Sequence, residues 1–115
     1  MKNYRILQSW AGSLIAAIVL VSFTARAEAA ETVQIEIKNF VFQPQEVTVA
    51  PGTTVVWINH DETPHNIKTR DRKIKSKVLD TDDRFSFVFD QPGDYTYVCG
   101  LHPQMTGTVH VARSK

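Results

Sequence analysis

Residues 95–111, YTYVCGLHPQMTGTVHV, constrain this chain more than any other stretch. Tyr95 and Tyr97 lead up to Cys99, and Val109 and Val111 alternate with His110 beyond it, the period of half-buried strands. Between the two runs, Cys99, His102 and Met105 follow one another at Cys-x-x-His-x-x-Met spacing. The segment predicts two strands joined by a short loop that carries a thiol, an imidazole and a thioether.

The preceding residues read as strands as well. Val33, Ile35 and Ile37 alternate with Gln34, Glu36 and Lys38, and Val47 and Val49 repeat the pattern. Residues 55–59, VVWIN, are β-branched and aromatic. Phe85, Phe87 and Phe89 alternate with Ser86 and Val88. Ala50-Pro51-Gly52-Thr53 and Gln91-Pro92-Gly93-Asp94 are strong turn signals. No segment after residue 27 shows capped helical periodicity of useful length. Residues 68–81 are polar and mixed, compatible with a loop, a hairpin or a short helix. Short strands separated by Pro-Gly turns predict an all-β chain folded as an antiparallel sandwich. Neither repeats nor a low-complexity linker mark a second domain.

The N-terminus has a different character. Lys2 and Arg5 precede an uncharged run from Ile6 to Ala25, whose centre, Leu14 to Val21, is solidly apolar. Ala25-Arg26-Ala27 then offers small residues at cleavage spacing, the three-part layout of a secretory signal. We expect residues 1–27 to be a signal peptide and residues 28–115 the exported domain. A second candidate cut follows Ala29. The alternative is a retained membrane anchor, since the run is about long enough to span a bilayer; Gln8, Ser9 and Ser13 dilute its first half. The only cysteine is Cys99, far from this segment, which excludes a lipoprotein anchor.

Residues 28–115 hold ten basic and twelve acidic side chains, a formal charge of −2. That excludes the basic excess of a nucleic-acid binder. The distribution is uneven: residues 68–77 carry six basic side chains and one acid, Asp71.

A single cysteine in an exported protein cannot form an internal disulfide, and a metal-bound thiolate is a good reason to keep one. Cys99 and Met105 are the only cysteine and methionine after residue 27, and His102 lies between them. Thiolate and thioether hold Cu(I), and imidazole also accommodates Cu(II). Two imidazoles, a thiolate and a weak axial thioether form the blue-copper electron-transfer set. The second imidazole must come from His60, His65 or His110. His110 lies between two inward-facing valines and should face solvent. His60 sits in an Asn-His-Asp-Glu turn, where a solvated residue is expected. His65 lies in TPHN, behind the stiffening Pro64 and ahead of Asn66, which can tie loops together. His65 is the choice.

Taken together, VQIEIKNFVFQPQEVTVAPGTTVVWIN, TPHN and DRFSFVFDQPGDYTYVCGLHPQMTGTVHV resemble a cupredoxin, closest to the amicyanin-like group. The two-residue gap between His102 and Met105 is the amicyanin-like feature; plastocyanin and pseudoazurin resemble the chain less. The resemblance covers nearly all of residues 28–115. It implies an eight-stranded Greek-key β-sandwich with one copper ion at one end, held by His65, Cys99, His102 and Met105. It also implies amides of Asn66 and its neighbours around the Cys99 sulfur. The basic run at 68–77 matches no family motif.

These readings predict a periplasmic or otherwise exported monomer that carries single electrons. It would pass them between redox partners such as a dehydrogenase, an oxidase or a cytochrome c, with no small-molecule substrate and no enzymatic turnover. His65 should be buried, and His102, beside Leu101 and Pro103, should lie near the surface. A copper chaperone or copper-storage protein would use the same ligands. A structural Zn²⁺ site or a Cys-His hydrolase fits worse, because Met105 then has no role.

Overall fold

The computed structural model describes Gly12, residues 14–23 and residues 30–113. The expected signal peptide, residues 1–27, falls for the most part outside the described residues. Among the described residues, no helix is long and apolar enough to cross a membrane.

Eight strands follow in chain order: β1 Thr32–Lys38, β2 Val41–Gln43, β3 Glu46–Val49, β4 Thr53–Asn59, β5 Lys68–Thr69, β6 Arg84–Phe89, β7 Gly93–Cys99 and β8 His102–Val111. They form two four-stranded sheets, ordered β2-β1-β4-β6 and β3-β8-β7-β5. This is the expected Greek-key sandwich, with one refinement. Two neighbouring pairs, β1 with β4 and β3 with β8, run parallel, and the remaining pairs are antiparallel.

The alternation seen in the sequence becomes burial. Ile35 and Ile37 of β1, Val55 and Trp57 of β4, Tyr97 and Cys99 of β7, and Met105, Val109 and Val111 of β8 all point into the core. Trp57 and Tyr97, from opposite sheets, meet edge-to-face with ring centroids 5.4 Å apart. Phe42 packs on Tyr97 at 4.8 Å, and Phe85 stacks on Trp57 at 5.7 Å. Burying each such ring contributes roughly 1.5–3 kcal/mol, so this aromatic cluster is the main cement between the sheets. Gly52, in the Pro-Gly turn before β4, has φ +89°, a conformation that favours glycine.

Residues 68–77, which the sequence left as loop, hairpin or helix, form a short hairpin on the edge of the second sheet. Thr69 N–H donates to Ile74 O at 3.0 Å, and Ser76 N–H to Ile67 O at 2.9 Å. Ile67, Ile74 and Leu79 are buried beneath it and anchor it. The polar pattern hid Ile74 because it stands alone between Lys73 and Lys75.

The parallel register of β1 and β4 fixes one end of the sandwich. Ile37 pairs with Asn59, so the turn after β1 and the loop after β4 emerge side by side. β7 delivers Cys99, and β8 begins at His102, its cross-strand partner.

Candidate metal centre

The loop after β4 is built around Asn59. Its buried side-chain amide donates to Thr63 O at 3.0 Å and Leu79 O at 2.9 Å, and its Oδ1 accepts the Asp61 N–H at 2.9 Å. His65 N–H then donates to Leu79 O at 3.1 Å, and Leu79 N–H returns to His65 O at 2.7 Å. This frame leaves His65 with no exposed surface. On the opposite side, the tight β7–β8 connection sets Cys99, fully buried, against His102, which is half-buried.

His65, Cys99 and His102 converge as the sequence predicts: their donor atoms all lie within 4.8 Å of one another. Cys99 Sγ is 3.7 Å from His65 Nδ1 and 3.7 Å from His102 Nδ1. Those separations are long for hydrogen bonds. They suit donors sharing an ion at roughly 2.0–2.3 Å from each. Met105 lies on the inner face of β8 and is only 6% exposed. It lines a cleft with Phe40, whose ring edges both His65 and His102 at 5.3 Å.

The thiol and both loops are tied together by Asn66. Its backbone N–H donates to Cys99 Sγ at 3.4 Å, and its side-chain Oδ1 accepts the Gly100 N–H. A donor set of one thiol, two imidazoles and a buried thioether fits copper by its chemistry, and the protein's own hydrogen bonds fix the His65 loop and the Cys99 sulfur.

The two rejected histidines stand elsewhere. His60 is on the surface, 3.8 Å from Glu36. His110 lies on the outer face of β8, with Nδ1 2.7 Å from Asp94 and Nε2 3.7 Å from Glu46. Asp94's hydrogen bond raises the His110 pKa above its ordinary 6.5, against partial desolvation.

The cupredoxin-like domain family matches residues 12–111. The chain is a cupredoxin. It is similar to amicyanin-alpha of Methylorubrum extorquens, with 32% identity over 105 residues that span 86% of this chain and 88% of that protein. Among solved structures it resembles a Cu(I) form of an amicyanin variant, at 29% identity and TM-score 0.68, covering 73% of this chain and 85% of that one. It also resembles a purple cupredoxin from Nitrosopumilus maritimus, at 35% identity and TM-score 0.66, over 70% of this chain and 99% of that one. Among the described residues this cupredoxin thus presents one such donor cluster, suited to one copper ion.

Sequence reasoning missed Asp61 and Phe40. Asp61 was read as part of a solvated turn, yet its side chain is 11% exposed. Burial would raise its pKa, but N–H donors from Phe40, His65 and Asn39 together hold it below the ordinary carboxylate value. The signal available was its place four residues before His65.

Proposed function

We propose that residues 28–115 form an exported cupredoxin that carries single electrons between redox partners, with one copper held by His65, Cys99, His102 and Met105. The observation that carries this reading is the meeting of two imidazoles and one thiol from separate elements, each fixed by protein contacts. When bound, copper supplies one-electron redox chemistry by cycling between Cu(I) and Cu(II).

The chain's own residues do the rest. The Asn59–Leu79–His65 hydrogen bonds hold one imidazole in place whatever the charge at the site. Asn66 orients the thiolate and satisfies it with a backbone donor. Burial of Cys99, His65 and Met105 excludes water. His102 keeps part of its ring at the surface, beside exposed Leu101 and Pro103, and so offers a close approach to a partner. A carrier of this kind holds no substrate and breaks no bond, so the proposed role involves no enzymatic turnover.

The charged hairpin points to the partner's character. Arg70, Arg72, Lys73, Lys75 and Lys77 are all exposed. Lys68 pairs with Val98, one residue from Cys99. A redox protein with an acidic surface fits this hairpin.

Reduction of copper-loaded protein tests the reading. The carrier shows an intense visible band that bleaches on reduction, and exchanges electrons quickly while holding its copper. Ready transfer of Cu(I) to a chelator would instead favour the chaperone, which the full burial of His65 opposes. Intact mass of protein from the native host should place the N-terminus near Glu28. A chain beginning at Met1 in the membrane fraction contradicts export by cleavage.

A further inference from the structure

One carboxylate gathers three donors at the edge of the site. Asp61 Oδ1 accepts the Asn39 N–H at 2.7 Å. Oδ2 accepts the Phe40 N–H at 3.0 Å and stands 2.9 Å from His65 Nε2. Asn39 and Phe40 both occupy the left-handed region, with φ 54° and 61°. For a bulky residue such as Phe40 that conformation is an outlier. The carboxylate's two hydrogen bonds offset that strain by holding consecutive amides. The turn so held presents the half-exposed Phe40 ring edge-on to both histidines, with centroids 5.3 Å from each.

We propose that Asp61 is a positioning residue of the copper centre: its carboxylate holds the His65 ring through Nε2–H and pins the Asn39–Phe40 turn that covers both imidazoles. The inference rests on the ligand assignment above and extends it to a residue that touches no copper. With the hydrogen on Nε2, His65 turns its Nδ1 lone pair toward Cys99 Sγ. A carboxylate behind a metal-binding imidazole fixes its tautomer and raises its basicity. A more basic imidazole favours the more highly charged copper. The same contact couples the ring to the Phe40 cover, so one substitution loosens both.

Asp61→Asn keeps the side-chain shape but places an amide donor among three donors. In the copper-loaded variant the visible band should persist, because Cys99 and both imidazoles remain. Cu(II) affinity should fall about 10–100-fold, and Cu(I) affinity by less. Each tenfold difference between the two raises the one-electron potential by about 59 mV. Asp61→Glu should recover part of the shift. A variant with unchanged potential and unchanged Cu(II) affinity overturns the proposal while leaving the copper site intact. If Asp61→Asn does not fold, the unaltered protein answers the question. In its metal-free and Cu(I) forms, NMR should show the His65 hydrogen on Nε2, shifted downfield and slow to exchange with water. A rapidly exchanging Nε2–H, or a hydrogen on Nδ1 in the Cu(I) form, overturns it. Failure of the wild-type chain to bind copper would instead count against the functional reading, and the metal-free spectrum would still report the Asp61–His65 contact.

Discussion

The backbone N–H of Asn66 donates to the Sγ of Cys99 across 3.4 Å, joining the loop after β4 to the end of β7. The Asn66 side chain closes the same junction by accepting the Gly100 N–H. The loop after β4 and the β7–β8 connection are thus locked to each other before any ion binds. Asn66→Ala keeps the first bond and removes the second. Because Gly100 is exposed and water can reach its N–H, the loss should be the net worth of one hydrogen bond, about 0.5–1.5 kcal/mol. Denaturant unfolding of metal-free protein should show that loss, and copper release should quicken. Unchanged stability would mean that water replaces the Asn66 oxygen at no cost.

Gly107 faces Tyr97 across the β7–β8 ladder. A Cβ there would fall on the Tyr97 hydroxyl and ring, closer than side chains tolerate. The ring cannot retreat, because Trp57 and Phe42 pack against it. Burial also drives the Tyr97 pKa up to about 12, only partly countered by Trp57. Gly107→Ala should therefore destabilise the fold by roughly 1–3 kcal/mol, the usual range for overpacking. Paired with Tyr97→Phe, which removes the hydroxyl, the loss should shrink. Thermal unfolding of the single and double variants measures both, and equal losses would contradict the clash.

The outer face of β8 carries a pH-dependent pair. Asp94, with help from Glu46, raises the His110 pKa above 6.5. A raised pKa means that protonated His110 is favoured in the folded state, so its stabilisation is fully present below pH 6.5 and fades as pH rises through the folded value. The Tm difference between wild type and His110→Gln should be larger at pH 5.5 than at pH 9. A difference independent of pH would show that the Asp94 contact does not favour the charged ring. The copper band should be indifferent to this change, since His110 stands outside the donor cluster.

Much of this was legible in the sequence because strand alternation and burial share one cause. Val33 to Ile37, Phe85 to Phe89 and Tyr95 to Cys99 each place alternate residues inward, and the structure keeps those faces. His65, Cys99 and His102 were identifiable because their chemistry is unusual in so short a chain. Asp61 and Phe40 were not, since each owes its role to the parallel pairing of β1 with β4. That register lies beyond local pattern, and a lone Asp in a polar turn or a lone exposed Phe carries no period. The hairpin at 68–77 was obscured for the same reason, its buried Ile74 and Ser76 being isolated in a charged run.

The hairpin's charge has a kinetic consequence. Clustered like charge steers association with an oppositely charged partner, and salt weakens it over a Debye length of about 8 Å at physiological ionic strength. Neutralising Lys73, Lys75 and Lys77 to Gln should slow electron transfer to the native partner at low salt and leave it unchanged at high salt. Stopped-flow rates across an ionic-strength series provide the check. Equal rates for wild type and variant at low salt would make the hairpin an ordinary solvated surface.

The most direct measurement is a potentiometric titration of the copper-loaded protein, followed in the visible region and run beside Cys99→Ser. The account predicts one copper per chain, an intense thiolate-to-copper band, a reversible one-electron Nernst curve, and loss of that band in Cys99→Ser. A wild-type chain that binds copper without the band, or a Cys99→Ser protein with the wild-type spectrum and potential, would contradict it.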